Sequence, residues 1–499
     1  MSLLKKLAGQ TALYGLSSML GRALNFLLVP FYTSVLAAAE FGIMTELYTY
    51  VAFLNIVYLF GMETAYFRYA TKEGFEEKTV YNNAQSLLFI NSIIISGSLI
   101  LFSAKIAALL DYPDKGTYII WLAIIIATDS IVAIPFARLR LQKKAGQFAA
   151  TRMANIIINI LLNLFFLVFC KKIHEGALMH EYKDVVSQIY DPSFDVGYVF
   201  LSNLIANLLF IPMLWKSFSK YRFELHSRLI KPMISYSYPL FIMGLAGMIN
   251  EVSSRPLLKE ILPQNFYTGR TNLEALGIFG ACYRLSMFMT LAIQSFRYAA
   301  EPFFFSQASD KNSPVLFANI MKWFIVVCLL IFLVVSLNIE IFGLILRNPI
   351  YREGLGIVPF LLLGNLFLGV YYNLSIWFKL TDKTHFGTLI SIIGAILTVL
   401  LNIILIPIYG YMGSAVTTLL CYFIMTVISY WFGQKYYPIP YPIGRILSYI
   451  GVSIALVVLS LQVSIGLPIA KMAVDLFLLV IFIAIVFLFE KKNLNFKRI

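Results

Sequence analysis

The sequence predicts an all-α polytopic membrane protein with about 14 transmembrane helices. Apolar runs long enough to cross a bilayer, about 20 residues each, recur from one end of the 499 residues to the other. Apolar residues make up 60% of the chain and charged residues 13%, and the mean hydropathy is +0.81, far outside the soluble range. Because the longest polar insert covers only residues 171–195, we expect one membrane domain with short loops.

Each apolar run predicts one helix by the length rule. The first run is long enough to be tilted, and Pro30 favours a kink in it. The predicted helix cores are residues 9–35, 42–62, 84–104, 118–137, 148–170, 196–215, 233–256, 276–296, 318–340, 356–378, 386–406, 413–433, 446–464 and 470–489.

Basic residues orient these helices, since Lys and Arg concentrate on the cytoplasmic side of membrane proteins. With the N-terminus inside, the inner segments hold 24 Lys and Arg residues and the outer loops hold nine. The even number of spans places both termini in the cytoplasm. The net charge of +14 is then mainly an orientation signal, and with no basic soluble domain we expect no nucleic-acid partner.

The two halves of the chain resemble each other. Arg22 precedes Gly42 by 20 residues, and Arg255 precedes Gly277 by 22. The run from Leu141 to Gly146 likewise resembles the run from Leu380 to Gly387. We therefore predict two six-helix bundles, residues 1–220 and 221–440, around a central cavity, with two extra transmembrane helices and a cytoplasmic tail in residues 441–499. Such repeats are typical of transporters that alternate access by rocking two halves.

Several charged residues lie at membrane depth, where each costs about 2.5–3.5 kcal/mol on insertion scales. Arg22 and Arg284 have no partner within their own helices and are the best candidates to face a polar cavity. Asp129 lies in the middle of the fourth span. Glu251 and Arg255 are four residues apart on one helix, so they either form a structural ion pair or serve separately, with Arg255 reaching the interface.

Arginines in a cavity would suit an anionic head group, because guanidinium binds phosphate oxygens in pairs and stays charged. Four asparagines would add hydrogen bonds to a sugar, or else tie helices together: Asn25, Asn250, Asn365 and Asn373. Lys471 and Asp475, in the last helix, are better explained as a structural pair. The four cysteines are expected to be buried free thiols, and the four histidines suggest no metal site.

Several segments occur in the order and at the spacing of known family motifs. They are Leu20-Gly21-Arg22 through Pro30-Phe31 to Glu40-Phe41-Gly42, Phe60-Gly61-Met62-Glu63-Thr64-Ala65 with Arg68, Asn250 to Leu257, Ala300-Glu301-Pro302-Phe303, and Asn402 to Pro407 with Gly410, Gly413 and Ala415. Together these segments resemble the lipid-linked oligosaccharide flippases of polysaccharide biosynthesis, in the multidrug/oligosaccharidyl-lipid/polysaccharide exporter superfamily. In the seventh helix Ser254 stands where the family usually has Asp, and Glu251 is a possible substitute.

The resemblance implies a flippase that moves an undecaprenyl-pyrophosphate-linked oligosaccharide from the inner to the outer leaflet by alternating access. It implies that Arg22, Arg255 and Arg284 meet the pyrophosphate in a cationic cavity. Asn25 and Asn250 complete the predicted substrate site, and Asp129 and Glu251 are the candidates for ion coupling. We expect a monomer in the bacterial cytoplasmic membrane, with the lipid-linked glycan, membrane lipids and other polysaccharide-assembly proteins as partners.

Two other functions stay open. A cation-coupled drug exporter of the same superfamily would use acidic residues such as Asp129 and Glu251. A membrane polysaccharide polymerase or glycosyltransferase would need a large outer loop or a catalytic acid pair, and neither is evident in the sequence. With no nucleotide-binding motif, no catalytic residue, cofactor or metal is predicted.

Overall fold

A computed structural model describes residues 24, 26–72, 74–307, 312–381, 383–463 and 468–491. Nearly all of this part of the chain is helical, and it contains no strand, so the predicted all-α class is confirmed. The first helices are α1 (Phe26–Val35), α2 (Ala38–Leu59), α3 (Met62–Ala70), α4 (Glu77–Leu101), α5 (Ser103–Leu109), α6 (Gly116–Leu141), α7 (Ala145–Leu164), α8 (Gly197–Leu208), α9 (Ser227–Val252) and α10 (Ser254–Ile261).

The remaining long helices belong to the second half of the sequence. They are α11 (Asn272–Leu285), α12 (Met287–Gln307), α13 (Ser313–Leu337), α14 (Val358–Leu374), α15 (Ile376–Leu380), α16 (His385–Tyr409), α17 (Tyr411–Tyr436), α18 (Ile443–Gln462) and α19 (Pro468–Glu490). Long helices are the expected solution in a bilayer, because they satisfy their backbone hydrogen bonds internally.

The chain divides into two compact units. Unit 1 comprises residues 1–259 and 269–277, and unit 2 comprises residues 260–268 and 278–499. In unit 1, α6 packs against α2, α4 and α8, and α9 packs against α2 and α3. In unit 2, α14 and α17 are the most closely associated pair, and α17 also packs against α16. The two helices at the end of the chain, α18 and α19, pack against each other and against α13.

The described residues contain 11 helices long and apolar enough to cross a membrane, or up to 12 if a bent pair counts as one span. The bent pair joins α11 to the start of α12 at an angle of 45°. Two shorter apolar helices, Phe26–Val35 and Gly197–Met213, coincide with the other two predicted cores. Each predicted core therefore overlaps a described helix, while the count of 14 full spans is not confirmed.

Breaks in two spans have clear local causes. Between α2 and α3, Phe60 and Gly61 both have a positive φ, 45° and 69°, a conformation that glycine adopts without steric cost. Between α11 and α12, the Ser286 hydroxyl donates to the carbonyl of Tyr283 at 2.7 Å, a side-chain bond that competes with the helix and bends it.

Large apolar side chains are exposed along several of the long helices. Phe477 and Leu488 in α19 are 63% and 68% exposed. A soluble protein rarely presents contiguous apolar surface of this kind, whereas lipid tails solvate it. The protein is therefore a multi-pass membrane protein.

Candidate functional site

The predicted substrate site is only partly covered by the structure, because Arg22 and Asn25 lie outside the described residues. Asn250, near the end of α9, is buried at 6% exposure. Arg255 is the second residue of α10 and is half-buried. The only residue between α9 and α10 is Ser253, whose hydroxyl donates to the Ile249 carbonyl at 2.6 Å, so the two helices follow each other almost directly.

Glu251 lies one helical turn before Arg255, and its side chain is exposed. Both residues are described, and the structure contains no ion pair between them. The spacing of four residues allowed such a pair, but the junction at Ser253 separates the two residues onto different helices. Glu251 and Arg255 therefore stay separate candidates, one for ion coupling and one for substrate binding.

Arg284 lies near the end of α11, two residues before the break at Ser286. It is half-buried. Ser286 is completely buried and accepts a hydrogen bond from the amide of Asn365 at 3.2 Å. This bond connects the break to α14 and so stabilises the bend. Because Arg284 is two residues from the bend, its position on the span is stabilised as well. Arg284 belongs to unit 2 and Arg255 to unit 1.

Asp129 is part of a polar network inside unit 1. The amide of Asn207 in α8 donates to its carboxylate at 3.1 Å, and the amide of Asn155 in α7 donates to the Asn207 side chain at 3.1 Å. Three spans thus contribute one side chain each to a chain of hydrogen bonds that ends on a carboxylate. Such a network can hold a charge at membrane depth, and intramembrane carboxylates commonly mark proton or ion pathways.

Arg152 supplies the nearby positive charge. It lies one turn before Asn155 on α7, it interacts electrostatically with Asp129, and its guanidinium stacks on the ring of Phe136 at 4.2 Å. Stacking on an aromatic face offsets part of the cost of burying a cation. Arg152 was not among the predicted site residues, although its place inside the predicted core 148–170 was a signal that could have identified it.

A second missed cluster joins distant parts of unit 1. Glu46 in α2 is completely buried, and Lys259 in α10 approaches it at 3.3 Å. The Tyr112 hydroxyl donates to the same carboxylate at 2.5 Å. Burial, followed by this bond to Glu46, raises the pKa of the Tyr112 phenol, so Tyr112 remains a proton donor. Since Lys259 also donates to the Leu110 carbonyl at 2.8 Å, the cluster ties α10 to the loop after α5.

The structure also bears on the remaining polar residues. Lys471 and Asp475 form the predicted pair at 3.1 Å, and both contact Ser460 of α18. All four cysteines are free and buried, as predicted. No cluster of three or more His, Cys, Asp or Glu side chains suited to a metal ion occurs among the described residues.

Solved structures of a flippase and of membrane transporters have a similar fold. The lipid II flippase MurJ, in an inward closed conformation, superposes with a TM-score of 0.67 over 97% of this chain and 100% of that chain, at 14% identity. An inward-facing multidrug resistance transporter of the MATE family in the MOP superfamily gives a TM-score of 0.58 over 83% and 94%, at 12% identity. The chain therefore shares the polytopic helical fold of these proteins.

The sequence comparison gives the family. Residues 7–308 match the family described as "Polysaccharide biosynthesis protein", and the chain belongs to that family. An uncharacterized membrane protein of Methanocaldococcus jannaschii is 24% identical over 457 residues, which is 84% of this chain and 82% of the relative. The polysaccharide-biosynthesis family noted from the sequence is thus confirmed.

Proposed function

We propose that the protein flips an undecaprenyl-pyrophosphate-linked oligosaccharide from the inner to the outer leaflet of the cytoplasmic membrane for surface polysaccharide synthesis. The observation that carries the proposal is the position of Arg284, two residues before the break between α11 and α12. The family of the chain, which is described as "Polysaccharide biosynthesis protein", points to the same process. A half-buried guanidinium in a span suits a diphosphate and would repel a cationic drug. The structural neighbour MurJ is a lipid II flippase, which supports the same class of substrate.

In this proposal Arg22, Arg255 and Arg284 bind the diphosphate, and Asn25 and Asn250 contribute hydrogen bonds to the glycan. The two six-helix bundles, residues 1–220 and 221–440, would alternate access by rocking, with residues 441–499 as an appended pair of helices. We further propose a bacterial cytoplasmic membrane location, cytoplasmic termini, a monomeric state and functional association with polysaccharide-assembly proteins. The loop-charge bias supports the orientation.

A cation-coupled small-molecule exporter is the second candidate, and one observation favours it. Asp129 accepts a hydrogen bond in a network built from three spans, which is a suitable place for a coupling ion or proton. The same network would serve a flippase driven by an ion gradient. Asp129 is therefore evidence for coupling, while the chemistry of the substrate distinguishes the two candidates.

The test replaces the proposed diphosphate ligands. In a strain that depends on this protein for surface polysaccharide, Arg284→Ala and Arg22→Ala should each abolish the polysaccharide while the protein remains in the membrane. Arg284→Lys should retain part of the function, because it keeps the charge and loses the paired hydrogen bonds. Arg228→Ala is the matched control, since Arg228 is exposed at the start of α9.

Normal polysaccharide in both alanine variants would contradict the proposed site. A direct assay separates the two candidate functions. Proteoliposomes should flip a fluorescent polyprenyl-diphosphate glycan and should not accumulate a lipophilic cationic dye. Dye accumulation without flipping would favour the exporter.

A further inference from the structure

A recess within unit 2 has the chemistry of an anion site, and none of its described lining residues is among the proposed diphosphate ligands. It is a recess open to solvent between α12 and the junction of α14 with α15. The residues on which the argument rests are Phe296, Arg297, Phe304, Tyr372, Asn373 and Lys379.

The lining carries two cations, Arg297 and Lys379. Arg297 is half-buried, and its guanidinium stacks on the ring of Tyr372 at 4.1 Å. Stacking fixes the plane of the guanidinium and leaves its edge, with its N–H donors, available to an anion.

A buried amide supplies an independent observation. Asn373 is 2% exposed, lines the recess, and its side-chain nitrogen has no hydrogen-bond partner. An unsatisfied buried donor costs about 1–3 kcal/mol, so a ligand that accepts a hydrogen bond here would recover that cost. The donor is accompanied by positive charge, which favours an anionic acceptor.

The sequence repeats the arginine of this recess in the other half. Phe67-Arg68-Tyr69-Ala70 and Phe296-Arg297-Tyr298-Ala299 are the same tetrapeptide, and the Arg68 guanidinium likewise stacks on a tyrosine, Tyr236, at 4.3 Å. Arg68 is exposed whereas Arg297 is half-buried. The repeat therefore provides one arginine in a recess and an equivalent exposed arginine for comparison.

We propose that this recess binds a phosphate or diphosphate group that carries two negative charges. Two cations and a buried amide match a dianion with several acceptor oxygens better than a singly charged phosphodiester. The aromatic walls, Phe296 and Phe304, reduce water access on one side and so strengthen the electrostatic attraction. By the loop-charge prediction this end of α12 faces the cytoplasm, where a lipid diphosphate would be taken up; that last identification rests on the proposed function.

The test measures binding of inorganic pyrophosphate to the full-length protein in phosphatidylcholine nanodiscs at constant ionic strength. Arg297→Gln and Lys379→Gln should each weaken binding about tenfold or more, since each removes a charged hydrogen-bond donor. Asn373→Leu should weaken it about threefold to tenfold. Arg68→Gln is the matched control and should leave binding unchanged. Arg297→Lys, expected to lie between native and Arg297→Gln, covers the case in which the glutamine variant fails to fold.

Native affinity in both Arg297 variants would overturn the proposal, as would equal weakening by Arg68→Gln, which would indicate binding by overall charge alone. A second arm adds lipids to the nanodiscs as competitors. A polyprenyl diphosphate should displace pyrophosphate at lower concentrations than phosphatidylglycerol; equal displacement by both would overturn the preference for a dianion. If the native protein binds pyrophosphate but flips no glycan lipid, the proposed function is contradicted, while the proposal that the recess binds an anion remains supported.

Discussion

Gly277 lies against the backbone of Ala38, so closely that a Cβ on Gly277 would overlap the Ala38 carbonyl oxygen. The same crossing of α2 and α11 brings Gly42 against the carbonyl of Leu273. Gly42 and Gly277 hold equivalent positions in the two halves of the sequence. Small residues allow helices to approach backbone to backbone in membranes, and here each half contributes one.

Replacing Gly277 with alanine should therefore destabilise unit 1. The added methyl group has no space at the crossing, and forced separation of packed elements typically costs about 1–3 kcal/mol. Thermal unfolding of the protein in detergent should show a lower midpoint. Gly247→Ala is the matched control, because nothing lies within 4 Å of a Cβ there, and alanine favours a helix by about 1 kcal/mol over glycine. An unchanged midpoint for Gly277→Ala would refute the close contact.

The sequence could predict which residues are equivalent but not which ones touch. The separations from Arg22 to Gly42 and from Arg255 to Gly277 identified the glycines as repeats. Their contact depends on the crossing of α2 with α11, and hydropathy contains no information on which helices are neighbours. Composition alone was enough for the all-α class, because every apolar run must be helical in a bilayer.

The same limit applies to the charged residues: their depth in an apolar run can be predicted from the sequence, but their partners cannot. Asp129 and Arg284 were identified by their depth in apolar runs. Glu46 and Lys322 meet the same criterion but lie nearer the ends of their runs. Their partners are 213 and 168 residues away in the sequence, so only the fold reveals that these charges are paired. The bend after Arg284 was also missed, since neither proline nor glycine marks it.

Removing one member of the buried pair Glu46 and Lys259 should strongly destabilise the protein, whereas removing both should cost less. Lys259→Met leaves the Glu46 carboxylate buried without its cation, and breaking such a pair costs about 3–5 kcal/mol. Unfolding titrated with SDS would measure the loss. The double variant Glu46→Leu with Lys259→Met should be closer to the native protein, because replacing both charges removes the desolvation penalty. A double variant that is less stable than Lys259→Met would contradict this account.

A similar pair attaches the last described helix, α19, to α13 within unit 2. Lys322 of α13 contacts Glu490 of α19 at 2.5 Å, and both side chains are almost fully buried. Tyr449 and Arg445 of α18 also contact Glu490, at 3.0 and 3.5 Å.

Glu490→Gln should lower the unfolding midpoint, because it leaves Lys322 buried without a counter-charge. Glu340→Gln is the control: Glu340 is exposed, and surface substitutions usually change stability by less than about 0.5 kcal/mol. Equal midpoints for the two variants would show that the α19 pair contributes nothing to the attachment.

Ion coupling, if it uses the network in unit 1, depends on the charge of Asp129. Asp129→Asn preserves the size of the side chain and its capacity to accept a hydrogen bond from Asn207, but it removes the negative charge that a proton or sodium ion would neutralise. We expect this variant to insert normally and to lose the dependence of transport on an imposed proton or sodium gradient in proteoliposomes.

The second coupling candidate provides the comparison. Glu251 is exposed and makes no ion pair with Arg255 in the described part of the chain, so Glu251→Gln should leave the gradient dependence intact. Asn207→Leu should reproduce part of the Asp129→Asn effect, because it deprives the carboxylate of a donor at 3.1 Å. If Glu251→Gln abolishes the dependence while Asp129→Asn keeps it, coupling belongs to α9 and the hydrogen-bonded network is structural.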